Sequence, residues 1–172
     1  MSLHVFAEHG AIVIKAADLK AVGEVFKLNA DLEIELDEKI EEAINKGVMV
    51  EFLYEFELVS PRSFWFDKNI VETSTSIAVS YHALSRQYLV TQSGRQTSHE
   101  ILSEAMIEFV QLYDWKVLDK SMIESDREYV GTLNVKLDQS KLPKAIQVEA
   151  ISSEGWNLVA DPFEWSPKDL NQ

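Results

Sequence analysis

The stretch "VFKLNADLEIEL", Val25 to Leu36, constrains the fold more than any other. Phe26, Leu28, Ala30, Leu32, Ile34 and Leu36 alternate with Lys27, Asn29, Asp31, Glu33 and Glu35. A helix would scatter these apolar residues around its circumference. A strand puts successive side chains on opposite faces, so the period of two gathers them on one side. The segment is therefore expected to be a half-buried strand with a wet, acidic outer face. "VMVEFLYEFELV", Val48 to Val59, repeats the pattern, with Val48, Val50, Phe52, Tyr54, Phe56 and Leu58 on one face. Each strand would run roughly 40 Å, long enough to need a bend or a bulge.

"DEKIEEAINKG" lies between these strands. Asp37 suits an N-cap, Ile40, Ala43 and Ile44 share a face, and Gly47 suits the C-terminal end of a short helix. Pro61 closes the second strand. "SIAVSYHALSRQYLVTQ" reads as a hairpin turning near Ala83 to Arg86, and Ser93-Gly94 breaks the chain after it. "TSHEILSEAMIEFVQLY" is expected to be the main helix, with Thr97 and Glu100 as a capping box and a wide apolar stripe from Ile101 to Tyr113. Ile107 falls on its polar side.

"AIVIKAADL", the Gly131–Leu137 alternation, "IQVEAI" and "WNLVADPFEW" complete the set of expected strands, the last interrupted by Pro162. No long linker or repeat divides the 172 residues, so one domain over 1–172 is expected, with roughly ten loose residues at the N-terminus. The expected fold is mostly β: an antiparallel β-sandwich, immunoglobulin-like in broad arrangement, with two crossover helices. A two-layer sheet with both helices on one face is the alternative.

Bulk properties exclude several functions. A net charge of −13 without a Lys/Arg cluster disfavours nucleic acid and anionic lipid as partners. The absence of cysteine removes disulfides, thiolate metal sites and a Cys nucleophile. No apolar run is long enough to cross a bilayer, so no membrane insertion of the domain is expected.

The acidic stripe Asp31, Glu33, Glu35 and Asp37 lacks the glycine turn and close oxygen spacing of a calcium loop. Alternate residues stand roughly 7 Å apart, so a pair repels by only about 0.6 kcal/mol in water. A solvated face tolerates that, and no metal is assigned. "HEILS" begins like a zinc helix, but Ser103 stands where the second His would be. His99 is expected to be exposed in the first helical turn, lone His82 to be structural, and His4 and His9 to lie in the loose N-terminus. Neither a Gly-x-Ser-x-Gly elbow nor a phosphate-cradling glycine loop occurs. No catalytic residue and no cofactor is assigned. A carboxylate-based hydrolase ranks third among the functional readings.

"SPRSFWFDKNIV" carries three consecutive aromatics. Read as a strand start, it sends Phe64 and Phe66 into the core and Trp65 and Asp67 to the other face. Trp and Arg are common energetic anchors of interfaces. The candidate binding residues are Arg62, Trp65, Asp67, Tyr81, Arg86, Tyr88 and Ile107. A non-enzymatic domain binding another protein leads. A small-ligand or glycan module stacking sugars on Trp65, Tyr81 and Tyr88 is the alternative. The oligomeric state cannot be read from the sequence.

"LNADLEIEL", "GVMVEFLYEFELVSPRSFWFDKNIV", "SYHALSRQYLV", "LDQSKLPKAIQVEAI" and "WNLVADPFEW" together resemble the DUF4390 family of proteobacterial proteins, over roughly Ala11 to Trp165. The Pro-Arg before aromatics and Asp, and the Tyr-His-Ala-Leu-x-Arg-Gln-Tyr hairpin, carry the resemblance most specifically. Ser63-Phe64 and Ala145-Ile146 depart from the pattern, where bulkier aromatics and a Pro-aromatic pair are expected. The first departure weakens any continuous aromatic platform. The resemblance implies an exported, periplasmic protein made with a signal peptide, and Met1-Ser2-Leu3 reads as a remnant in its place. It also implies a gene often near a nitrogen-regulation-type sensor kinase, hence an accessory envelope role with another envelope protein as partner. It assigns no catalytic residues.

Overall fold

Both long alternating segments form strands, and most of their apolar positions are buried. The computed structural model describes residues 9–168 and Leu170. Met1-Ser2-Leu3 and His4 lie outside these residues. In chain order the elements begin with β1 (Ala11–Val22), β2 (Val25–Glu35), α1 (Glu38–Asn45), β3 (Val50–Ser60) and β4 (Lys68–His82). Next come β5 (Gln87–Gln92), β6 (Arg95–His99), α2 (Leu102–Val110) and β7 (Gln111–Asp119). The chain closes with β8 (Val130–Leu137), α3 (Lys144–Ser152) and β9 (Phe163–Trp165).

These strands make two wholly antiparallel sheets, one of order β1-β2-β7 and one of order β6-β5-β4-β3-β8-β9. Phe26, Leu28, Ala30 and Leu32 of β2 are buried, as are Val50, Phe52, Tyr54, Phe56 and Leu58 of β3 and Leu133, Val135 and Leu137 of β8. All belong to one hydrophobic cluster. The sheets face each other across it: the Phe56 ring on β3 meets Trp115 on β7 edge-on at 6.4 Å. The architecture is thus mostly β with two antiparallel sheets in an open sandwich. Its larger sheet is built on the consecutive meander β3 to β6, not on the Greek-key connections of an immunoglobulin fold.

Two helices carry the chain between the sheets. α1 joins β2 to β3 and α2 joins β6 to β7. Asp37 caps α1, its carboxylate accepting the Lys39 N–H at 2.8 Å, and Ile40, Ala43 and Ile44 are buried. On α2, the Phe109 ring meets Phe52 edge-on at 5.3 Å, and the Tyr54 hydroxyl donates to the Phe109 carbonyl at 2.7 Å. Burial pushes the Tyr54 hydroxyl pKa strongly upward, so it stays a neutral donor.

Four sequence expectations are corrected. First, residues 97–113 are not one helix. Ser93 and Gly94 both have positive φ and form a two-residue turn that pairs Gln92 with Arg95. This primed geometry suits a hairpin, so Thr97 to His99 continue as strand instead of capping a helix. α2 starts only at Leu102, after an Ile101 cap with no side-chain bond. Its far end gives way at Gln111 to β7, where Leu112, Val117 and Leu118 are buried.

Second, "IQVEAI" is helical within α3. Pro143, at φ −54°, leads into it, and the Gln147 amide donates to the Leu142 carbonyl at 2.7 Å. The sheet edge it would have needed is taken by β9 and by Val159, which bridges to Lys136. Third, "WNLVADPFEW" yields one three-residue strand, β9, after a 3-10 turn at Glu154–Trp156.

Fourth, Phe64 and Phe66 are not core. The last β3–β4 pair is Ser60 with Lys68, so residues 61–67 form the hairpin loop. With no partner strand, period two has no sheet to refer to. Phe64 is 93% exposed and Phe66 96%.

Candidate functional site

Because both crossovers of α1 and α2 lie at one end of the sandwich, a gap opens between them. Its floor is the end of β2, continued by Leu36, and its back wall is the β5 strand. The result is an open groove of about 650 Å³. Ile34, Leu36, Leu102, Met106, Ile107 and Val110 supply its apolar lining. Glu35, Glu41, Asn45 and Tyr88 supply the polar rim. All the apolar residues except Ile107 are half-buried; Ile107 stands out into solvent.

The back wall is a built feature. β4 and β5 pair Tyr81 with Tyr88, and their rings pack at 5.0 Å. The Tyr88 hydroxyl donates to Asn45 Oδ1 of α1 at 2.6 Å, tying helix to sheet. Burial, with the neighbouring Tyr81 and Glu41, raises its pKa. Arg86, at φ 55°, ends the turn that joins these strands. Four sequence candidates thus gather at this end: Tyr88 and Ile107 line the groove, Tyr81 supports Tyr88, and Arg86 lies in the turn two residues before Tyr88.

The other three do not join them. Arg62, Trp65 and Asp67 lie on the 61–67 loop, at the opposite end of the 15-residue β4. At about 3.3 Å per residue the separation is roughly 45 Å. Trp65 therefore cannot share a stacking surface with Tyr81 and Tyr88. Asp67 Oδ1 accepts the Arg62 N–H at 3.3 Å, bracing the base of the loop.

His99 also differs from expectation. It sits on β6, half-buried, with its Nε2 2.6 Å from Glu108 Oε1 of α2. Thr97 donates to the same carboxylate oxygen. Both hold the edge strand to the helix. The Thr hydroxyl faces the carboxylate and not the imidazole, so the trio lacks the relay of a nucleophilic triad. Sequence reasoning missed this cluster because it placed all three residues on one helix; the alternation of Thr97 and His99 was the available signal.

Solvent meets the acidic face of β2. Glu33 pairs with Lys15 at 3.2 Å, and Asp31 accepts from the Tyr113 hydroxyl at 2.5 Å, which raises the tyrosine pKa. His82 Nδ1 lies 3.0 Å from the Ser85 hydroxyl within the β4–β5 turn. His9 Nδ1 lies 3.3 Å from Asp37 Oδ2. Among the described residues no three His, Cys, Asp or Glu side chains are grouped to hold a metal ion.

The family model for a domain of unknown function, DUF4390, matches residues 10–166. The chain belongs to the DUF4390 family. Its match spans β1 to β9, so the groove and the 61–67 loop both lie within the DUF4390 domain. Searches of curated proteins and of solved structures return no match. No helix of the described residues is long and apolar enough to cross a membrane.

Proposed function

We propose that this DUF4390 chain is a non-enzymatic domain of the cell envelope that binds another protein through the α1–α2 groove, as an accessory to a membrane sensor kinase. The groove itself carries the reading. It is apolar inside and carboxylate-rimmed by Glu35 and Glu41, and helices fix both its walls. Such a surface suits an amphipathic segment with an apolar face and flanking basic residues. The chain's charge of −13 would steer a basic partner toward it.

The non-enzymatic part rests on the sequence, which carries neither a nucleophile elbow nor a phosphate-cradling glycine loop. The Glu42 and Glu124 carboxyls are held below their ordinary pKa, Glu42 by Lys46 and Glu124 by Lys68 and Arg127. They are ion-paired on the surface, and neither lines the groove.

A photo-crosslinking residue at position 107, in the full chain in its native envelope, tests the proposal. A discrete protein adduct is expected, and Met106→Glu should abolish it while leaving the melting temperature within a few degrees. No adduct, or one indifferent to Met106→Glu, would overturn the groove as a protein site.

A further inference from the structure

The 61–67 loop presents Phe64, Trp65 and Phe66 at 93, 78 and 96% exposure. Three consecutive aromatic rings in water are a large apolar surface with nothing over it. The hairpin beneath is firm. Ser60 pairs with Lys68, Asp67 accepts the Arg62 N–H, and the Lys68 ammonium bridges to Glu124 at 3.1 Å.

We infer that the Phe64–Phe66 loop is a membrane-interface anchor that, against the sequence expectation of no membrane insertion, seats its three rings among the headgroups and upper acyl chains of a zwitterionic bilayer without crossing it. This surface is independent of the groove and lies at the other end of β4. Shape favours lipid over protein. The rings sit on consecutive residues of an irregular loop at a hairpin apex, so they make a convex tip and not a flat patch. A protein partner would need a pocket moulded around all three, whereas a fluid interface closes around a tip from every side.

Chemistry agrees. Trp and Phe are residues that partition to the bilayer boundary. Arg62 flanks the rings, and among the described residues its guanidinium has no ion-pair partner. It can meet a lipid phosphate at the depth the rings define. Net charge sets the headgroup class. At −13 the body of the domain is repelled by an anionic surface, so the anchor suits phosphate paired with a quaternary or primary ammonium.

Flotation of the full chain with phosphatidylcholine vesicles tests the assignment. The wild type should float with the vesicles. Acyl-brominated phosphatidylcholine should quench tryptophan emission in the wild type, and that quenching should be lost in Trp65→Phe, which still floats. The triple variant Phe64→Ser/Trp65→Ser/Phe66→Ser should partition about tenfold less or weaker, with an unchanged melting curve. Phosphatidylglycerol added to the vesicles should lower wild-type partitioning.

A wild type that stays in the aqueous layer would overturn the anchor, as would a triple variant that floats equally. Partitioning that rises with phosphatidylglycerol would overturn the zwitterionic assignment. Self-association of the wild type, relieved in the triple variant and indifferent to vesicles, would make a second copy the occupant and end the proposal.

Discussion

The two ends of β4 expose apolar surface in opposite ways. At the helical end, Ile34, Leu36 and Met106 are half-buried in a groove whose walls are tied by the Tyr88–Asn45 hydrogen bond. At the loop end, Phe64 and Phe66 are almost fully in water, on a segment braced only at its base. A supported concave surface can select a partner by shape. An unsupported convex tip cannot, and suits a surface that adapts to it. Exposure alone therefore does not define the kind of site; the packing behind the exposed residue does.

This contrast predicts a gradient of stability effects. The largest belongs to Phe109→Ala, which removes the ring wedged against Phe52 and the anchor of α2. A loss of about 3–5 kcal/mol is expected in urea unfolding, together with loss of the position-107 crosslink. Unchanged stability would mean that α2 is not locked to β3. Tyr54→Phe comes next. It leaves the Phe109 carbonyl without its buried donor, at about 1–3 kcal/mol by the same measurement.

Gly131→Ala probes the interior beneath the loop end. A methyl group there would stand 3.2 Å from the Trp165 ring and 3.3 Å from Phe56. A loss of about 1 kcal/mol is expected, showing that this end is close-packed inside although its tip is bare. The triple serine variant of the tip comes last, with a change within about 0.5 kcal/mol. A larger loss would mean that the rings support the fold, and the contrast between the ends would fail.

Legibility in the sequence followed the length of each pattern and its surroundings. Val25–Leu36 and Val48–Val59 alternate long enough that only a strand fits them, and β2 and β3 are the result. The Asp37 cap and the Tyr81–Tyr88 hairpin were equally readable, since their signals are local. Errors arose where a local signal met a non-local one. "IQVEAI" alternates like a strand, but the free edge of β8 was already filled by β9. Residues 111–113 fit a helical stripe, yet β2 offered an edge and drew them into β7. Opposite Asn29, Tyr113 and Asp114 then bulge, with Asp114 at φ 59° and its N–H held by Asn29 Oδ1 at 2.9 Å. The three aromatics were too short a run to fix a face without knowing where the β3–β4 pairing stopped. The groove was legible only in parts, because its walls come from residues far apart in the chain.

The sheet margins carry one more consequence. β6 and β9 are short, β6 is pinned to α2 through Glu108, β1 breaks its register beside the charged Lys15, and β7 shifts register twice against β2. A foreign strand seeking open amide groups finds at each of these borders too brief, too guarded or too kinked a template. The domain can thus display two sticky regions at its ends while its flanks refuse accretion into fibrils.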